Sequence, residues 1–401
     1  MLELDCGLDF DPARDDEFFR TLPPHPAVFA VELRQAGAEP LLGRTANLRR
    51  RLERLLRPPD PSSKRLNLRE LTQRVRYRLT GSALEQSFVA YQQAKRMFPR
   101  RYRDLLRLRS PAVLKVNLKN AYPRCYITRR IRTDEATGTP AGGACYGPFA
   151  TRRAADAFAE KFLDFFKTRR CQIKIRRHPA FPGCIYSEMK MCLAPCFAGC
   201  TKEEYDVEVA RLTSSLESRG GSLAEDIEQE RERASEALDF ERAAALHKRL
   251  DKVNDVLRGL PELVRRIEEL HAVILQRSAE EQAVAVFAVC GGRLAEPFFL
   301  RFAELASQPR SAEEILREQL AAVTPEARAD LGEHLALVAR WYYSSPREGE
   351  IFFRSAVKDR GEQDWPYRRI LRGCSRLLAP RENESAAPRT NPAQVQGEQK
   401  P

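Results

Sequence analysis

The sequence predicts an α+β protein of several domains, and three observations carry that prediction. Apolar runs of strand length, at 27–33 and 283–289 among others, alternate with stretches of helical periodicity. A chain of 401 residues holds roughly two to four domains of ordinary size. Composition also shifts along the chain: cysteines crowd into 171–200, charge fills 202–257, and a polar, aperiodic stretch begins near 380.

The elements follow in order. Residues 1–20 read as a lead-in, and Pro23, Pro24 and Pro26 punctuate the chain before a strand at 27–33. Gly37 marks a turn, and Leu41-Leu42 end a second short strand. From Ala46, the spacing of Leu48, Leu52, Leu55 and Leu56 is that of one helix face, until Pro58, Pro59 and Pro61 stop it. A further helix runs from Ser82 to Met97 and ends before Pro99. Strands at 112–118 and 124–130 lead through a Gly-, Thr- and Ala-rich loop to Tyr146-Gly-Pro-Phe149. Ala155, Phe158, Phe162, Phe165 and Phe166 line one side of a helix at 151–168. Residues 202–257 nearly lack Gly and Pro, apart from Gly220-Gly221, and read as helices. Leu246, Leu250, Val253 and Leu257 form a narrow apolar stripe there. Beyond Pro261 the period changes to strands at 272–275, 283–289 and 293–302, with Gly291-Gly292 as a hairpin turn. Helices at 312–323 and 327–342 and a strand at 351–353 follow, and 380–401 reads as disordered.

Hydrophobic residues make up 43% and charged residues 31%, the balance of a core-forming protein. The net charge of +12 points to a polyanionic partner, most commonly nucleic acid. No apolar run approaches the roughly 20 residues of a membrane helix. The opening Met-Leu-Glu-Leu-Asp-Cys lacks the layout of a signal peptide. A cytoplasmic location with no membrane contact is therefore expected, and ten cysteines there read as thiols or metal ligands rather than disulfides.

Cys171, Cys184, Cys192 and Cys196 lie in one short segment bent by Pro182, Gly183 and Pro195. Such a loop can bring four thiolates together because it follows neither helix nor strand geometry. Soft sulfur ligands suit an iron–sulfur cluster and zinc alike. Arg169, Arg170, Lys174, Arg176, Arg177 and Lys190 would offset the thiolate charge. Cys200 is a fifth candidate.

This order of features resembles the UvrC subunit of the bacterial nucleotide-excision-repair endonuclease. The resemblance rests on the cysteine spacing, the Tyr146-Gly-Pro-Phe149 turn before a helix, and the Cys192-Leu-Ala-Pro-Cys196 run. It implies a [4Fe–4S] cluster on Cys171, Cys184, Cys192 and Cys196, with zinc as the rival. Leu238-Asp-Phe-Glu-Arg-Ala-Ala-Ala-Leu-His-Lys-Arg-Leu250 looks like the second helix of the UVR motif, a helical hairpin that binds the UvrB helicase subunit. Leu238, Phe240, Glu241, Ala243, Ala244, Leu246 and Leu250 would be the partner-binding residues.

The N-terminal part resembles the family's GIY-YIG nuclease domain with its site eroded. Phe29 and Leu41 stand where the family has tyrosines, and Ala90 where it has the metal-binding glutamate. Arg44 and Arg51 match the family lysine and phosphate-contacting arginine, while Arg103 replaces an asparagine. Glu85 matches a non-catalytic position. Hydrolysis of a phosphodiester needs a metal to stabilise charge and a base to activate water. Alanine, phenylalanine and leucine supply neither, whereas arginine still binds phosphate. A divalent metal is implied only if the site cuts.

The strands at 283–302 and Trp341-Tyr342-Tyr343 resemble the family segment just before its second nuclease domain. No Asp–Asp–His constellation follows residue 300, and no helix–hairpin–helix pattern. The expected organisation is a degenerate GIY-YIG-like α/β domain at 20–110, linker strands, helix and cluster segment at 111–200, and a helical UVR region at 201–260. A C-terminal α/β remnant at 261–379 and a tail at 380–401 complete it.

Basic residues cluster at 44–57, 74–78, 95–109 and 169–177, interleaved with Tyr77, Tyr91 and Tyr102. Cations neutralise phosphates and aromatics stack on bases, although a single tyrosine more often packs in a core. Arg44, Asn47, Arg49, Arg50 and Arg51 are the expected DNA contacts. The function expected is a repair protein that binds DNA and UvrB without cutting. An active diverged endonuclease, with Glu85 as substitute carboxylate, and a zinc-containing nucleic-acid-binding module are the alternatives.

Overall fold

A computed structural model of the chain describes residues 2–58, 66–305, 309–323, 331–356 and 363–379. The tail at 380–401 and the first residues of the expected 327–342 helix lie outside the described residues.

The first sheet is antiparallel in the order β1-β4-β2-β3. Its elements are β1 (Cys6–Asp9), α1 (Asp15–Thr21), β2 (Ala27–Leu33), β3 (Leu41–Thr45), α2 (Leu48–Leu56), β4 (Thr72–Leu79), α3 (Ala83–Met97) and the short α4 (Tyr102–Leu105). Side chains alternate across β2, so the sheet has two buried faces. Ala27, Phe29 and Val31 meet Leu48, Leu52, Leu55 and Leu56 of α2 and Phe18 and Phe19 of α1. Val28 and Ala30 meet Phe88, Val89, Ala90 and Tyr91 of α3. Residues 2–20, expected as a lead-in, are thus part of the fold: β1 pairs with β4 from Cys6–Tyr77 to Asp9–Arg74.

The middle unit holds β5 (Ala112–Val116), β6 (Cys125–Thr128), β7 (Ala144–Phe149), α5 (Arg152–Leu163), α6 (Ile185–Glu188), α7 (Lys202–Glu217), α8 (Gly221–Glu236), α9 (Phe240–Arg258) and β8 (Arg265–Arg266). Its sheet runs β6-β5-β7-β8, so the last strand returns to it from beyond the three helices. The α8–α9 hairpin packs on α5 through Leu223, Ile227, Leu246 and Val253 against Phe162 and Phe166.

The third unit is built from β9 (Ala272–Arg277), β10 (Ala283–Cys290), β11 (Arg293–Leu294), β12 (Phe298–Arg301), α10 (Phe302–Leu305), α11 (Ala312–Ala322), α12 (Leu331–Tyr342), β13 (Glu350–Phe353), β14 (Ser355–Ala356), β15 (Gln363–Asp364) and α13 (Tyr367–Leu378). Strand order is β11-β10-β9-β13, with β12 also on β10. The single strand expected at 293–302 is split into β11 and β12. Helix α13 escaped sequence reading because its core face is short: Tyr367, Ile370, Gly373 and Cys374 face inward, and half of the rest is arginine.

The layers stack as first sheet, then α3 with α12, then third sheet, then α11 with α13. One core joins Val28 and Ala30 to Phe88 and Tyr91, and those to Leu335, Ile274 and Phe287. Among the described residues, no helix is long and apolar enough to cross a membrane.

Candidate functional site

Of the positions expected to form the eroded nuclease site, Phe29 and Leu41 are brought together and Ala90 is not. Phe29 is buried in the α2 core, with Leu41 packed beside it on the same face. Phe29 pairs with Gly43 across β3, and a Cβ on Gly43 would stand 2.5 Å from Phe29 Cζ. Only glycine lets that ring lie across the strand. Ala90, 1% exposed, belongs to the opposite face, in the core shared by α3 and α12.

The expected DNA contacts divide by role. Asn47 caps α2, its side chain accepting the Arg50 N–H at 2.9 Å. Arg49 donates to the Leu22 and Arg20 carbonyls at 2.7 and 3.3 Å, which ties α2 to α1. Arg44 donates to Ser87 Oγ at 2.9 Å, and burial together with Arg340 lowers its guanidinium pKa. Arg50 is exposed and Arg51 half-buried.

The 74–78 cluster forms the inner strand β4 rather than an open basic surface. Val75 and Tyr77 point into the core. Arg76 donates to the Leu4 carbonyl, and Arg78 to the Glu3 carbonyl and the Asp5 carboxylate. Tyr91 and Tyr102 are buried too, so none of the three tyrosines is open for base stacking. Both donate hydroxyls to the buried Glu333 of α12, at 2.8 and 2.9 Å, and Arg103 pairs with the same carboxylate. This joint was missed: no motif in the sequence ties position 333 to helix α3.

Glu85, the substitute carboxylate, is buried at the start of α3. It accepts the Gly81 N–H at 2.8 Å while Ser82 Oγ accepts the Glu85 N–H. Burial raises its pKa. It is occupied as a helix-terminus lock.

The cysteine segment winds between α5 and α7. Lys190, Ala194 and Ala198 all take left-handed backbone conformations, with φ of 56°, 56° and 62°. Such turns are disfavoured for residues with a side chain, and here they curl the loop around its thiols. The Ala194 N–H points at Cys192 Sγ at 3.3 Å, and an Arg169 N–H at Cys171 Sγ at 3.9 Å. Burial pushes the Cys192 thiol up to about 11, and Cys171, Cys184 and Cys196 add to the rise by their proximity. Four neighbouring thiols met by N–H donors and cations suit a soft metal or cluster in their chemistry. Among the described residues, however, no three His, Cys, Asp or Glu groups stand in a metal-holding arrangement. Cys200 sits apart, in a small apolar cluster with Tyr205 and Val209.

The hairpin turns at Leu238, φ 57°, and Asp239 caps α9 by accepting the Arg242 N–H at 3.0 Å. The expected partner residues split. Leu238 is 71% and Phe240 67% exposed at the tip. Glu241 and Ala244 are exposed as well, whereas Ala243 and Leu250 are half-buried and Leu246 is buried against the middle unit.

Comparison with known proteins matches 112–215 to the family described as UvrC/Cho excinuclease, middle domain, and 221–255 to the UvrB/uvrC motif. The middle unit is thus similar to the UvrC middle domain and carries the UvrB/uvrC motif. The UvrABC system protein C of Dehalococcoides mccartyi is 26% identical over 275 residues, covering 68% of this chain and 44% of the relative. That of Moorella thermoacetica is 25% identical over 345 residues, 84% and 54% respectively. That of Nitratidesulfovibrio vulgaris is 31% identical over 202 residues, 50% and 27%. The chain spans about half the length, or less, of these UvrC relatives. No solved structure matches it. The two UvrC segments meet where α7 gives way to α8 at Gly220-Gly221, so the motif is a unit of the fold as well as of the sequence.

Proposed function

We propose that this chain is a UvrC-type excision-repair protein that docks a UvrB-like helicase subunit through the tip of α8–α9 and binds DNA without cutting it. The observation that carries this is the exposure of Leu238 and Phe240 at the hairpin tip, where apolar side chains project into solvent beside a fully packed hairpin base. The base gives a rigid mount and the tip an unsatisfied apolar anchor.

The non-cutting half of the proposal is supported by Ala90. Its side chain lies in a sealed core, on the far side of the sheet from Phe29 and Leu41. The degenerate GIY-YIG-like unit then serves as architecture and as a phosphate-binding surface through Arg50 and Arg51.

The cysteine loop would hold a [4Fe–4S] cluster on Cys171, Cys184, Cys192 and Cys196, with zinc the alternative. Bound there, it would fix the fold of a loop that has little core of its own. Arg169 and Ala194 would supply N–H groups to its sulfur ligands.

Capture of a purified UvrB-like subunit by the full chain tests the docking. Wild type should retain it and Phe240→Ala should not; retention by both would remove the docking claim. Anaerobic purification tests the cluster. Iron with visible absorption supports it, and one zinc per chain without iron contradicts it.

A further inference from the structure

The third unit carries an arginine-lined cavity that the reading above leaves unused. It has a volume of about 420 Å³ and lies between β13 and α13. Arg369, Arg372 and Arg376 of α13 form one wall, and Arg347, from the loop before β13, forms another. Among the described residues, Glu350 is the one carboxylate that lines it. Arg376 donates to Glu350 through Nε at 2.8 Å and through its terminal nitrogen at 2.5 Å. Arg347 lies over the rings of Tyr342 and Trp341, at 4.7 and 5.7 Å. Among the described residues, no ion pair offsets Arg347, Arg369 or Arg372.

The fold fixes this wall. Gly373 lets α13 approach the sheet so closely that a Cβ there would meet Phe352 Cζ at 2.8 Å and Leu275 Cδ1 at 2.9 Å. Tyr367, Ile370 and Cys374 complete the buried face, which turns positions 369, 372 and 376 towards the cavity. Arginines so concentrated repel one another unless an anion sits among them. All four are arginine and none lysine, which suits the planar, two-pronged recognition of phosphate oxygens.

We propose that this cavity binds the phosphodiester backbone of nucleic acid. This rests on the DNA-binding part of the function proposed above and adds a second contact to it. The helix geometry fits. Arg369 to Arg376 spans about 10 Å along α13 at ~1.5 Å per residue, the axial rise of roughly three base-pair steps of a duplex. The ordinary alternative is a solvated helix face. Arg368 supplies that comparison: it is exposed on the same helix and lies outside the cavity.

The test is fluorescence anisotropy of a labelled duplex with the full chain, across a series of KCl concentrations. Arg369→Gln with Arg372→Gln should flatten the plot of log affinity against log salt by about 1.8, at ~0.9 per lost phosphate contact. Arg368→Gln should leave the slope unchanged. An unchanged slope in the double variant overturns the proposal while leaving DNA binding by the N-terminal unit in place. Failure of wild type to bind the duplex overturns both. Inorganic phosphate at matched ionic strength is the second arm. If it raises the melting temperature of wild type only, while duplex binding is the same in both proteins, the cavity is a small-anion site and the proposal falls. If the glutamine pair lowers the urea midpoint, Arg369→Lys with Arg372→Lys decides. A kept slope with weaker binding supports the proposal, and wild-type binding overturns it.

Discussion

Tyr91 on α3 donates its hydroxyl to Glu333 on α12 at 2.8 Å, inside the core that joins the first unit to the third. Tyr102 and Arg103 complete the shell of that carboxylate. A buried charge held by two hydroxyls and a guanidinium is stable only while its partners remain. Glu333→Ala should therefore cost about 2–4 kcal/mol, and Tyr91→Phe about 1–2 kcal/mol, in urea unfolding. Losses under half a kilocalorie for both would show that the joint is held by its apolar contacts alone.

A glutamate at position 90 should harm the fold rather than create an enzyme. Ala90 is sealed between α3 and α12, so Ala90→Glu buries a carboxylate without a partner. A loss of about 3 kcal/mol or more is expected. A variant as stable as wild type would mean that this face of α3 opens to solvent.

The α8–α9 hairpin separates binding from folding. Phe240→Ala removes an exposed ring and should change stability by less than about 0.5 kcal/mol while abolishing capture of the UvrB-like subunit. Leu246→Ala empties a buried site and should cost about 2–4 kcal/mol. Equal effects of the two on stability would contradict the division.

Cys374 gives a pH signature. Burial, followed by Glu350, pushes its thiol from 9.0 up to about 12. The folded chain keeps this proton where the unfolded chain has lost it. The stability it contributes is complete below pH 9 and is lost as pH rises towards 12. Comparing urea unfolding at pH 8 and pH 10, Cys374→Ala should fall less steeply than wild type, by up to about 1.4 kcal/mol per pH unit. Parallel falls would mean that the thiol ionises freely in the folded chain.

Much of this was legible in the sequence. Helix α2 follows from leucine spacing and the prolines after it, α3 from its stop before Pro99, and the hairpin from a motif whose apolar residues could be placed at its tip. Strand β4 was not legible. Its alternation of Arg74, Val75, Arg76, Tyr77 and Arg78 has the period of a strand, yet its arginines read as a nucleic-acid surface. Pairing with β1 and carbonyl partners far earlier in the chain settle the matter, and such pairings leave no local mark. The same holds for Glu333, whose partners lie over 200 residues away. The cysteines announced themselves by spacing, but spacing could not tell Cys200, which packs with Tyr205, from the other four.

The most direct test of the central claim is nicking of supercoiled DNA by the purified chain with Mg²⁺ or Mn²⁺ and a UvrB-like subunit. The proposed function predicts that the subunit is retained and the plasmid stays closed. Metal-dependent nicking by wild type that vanishes in Arg51→Ala would contradict it.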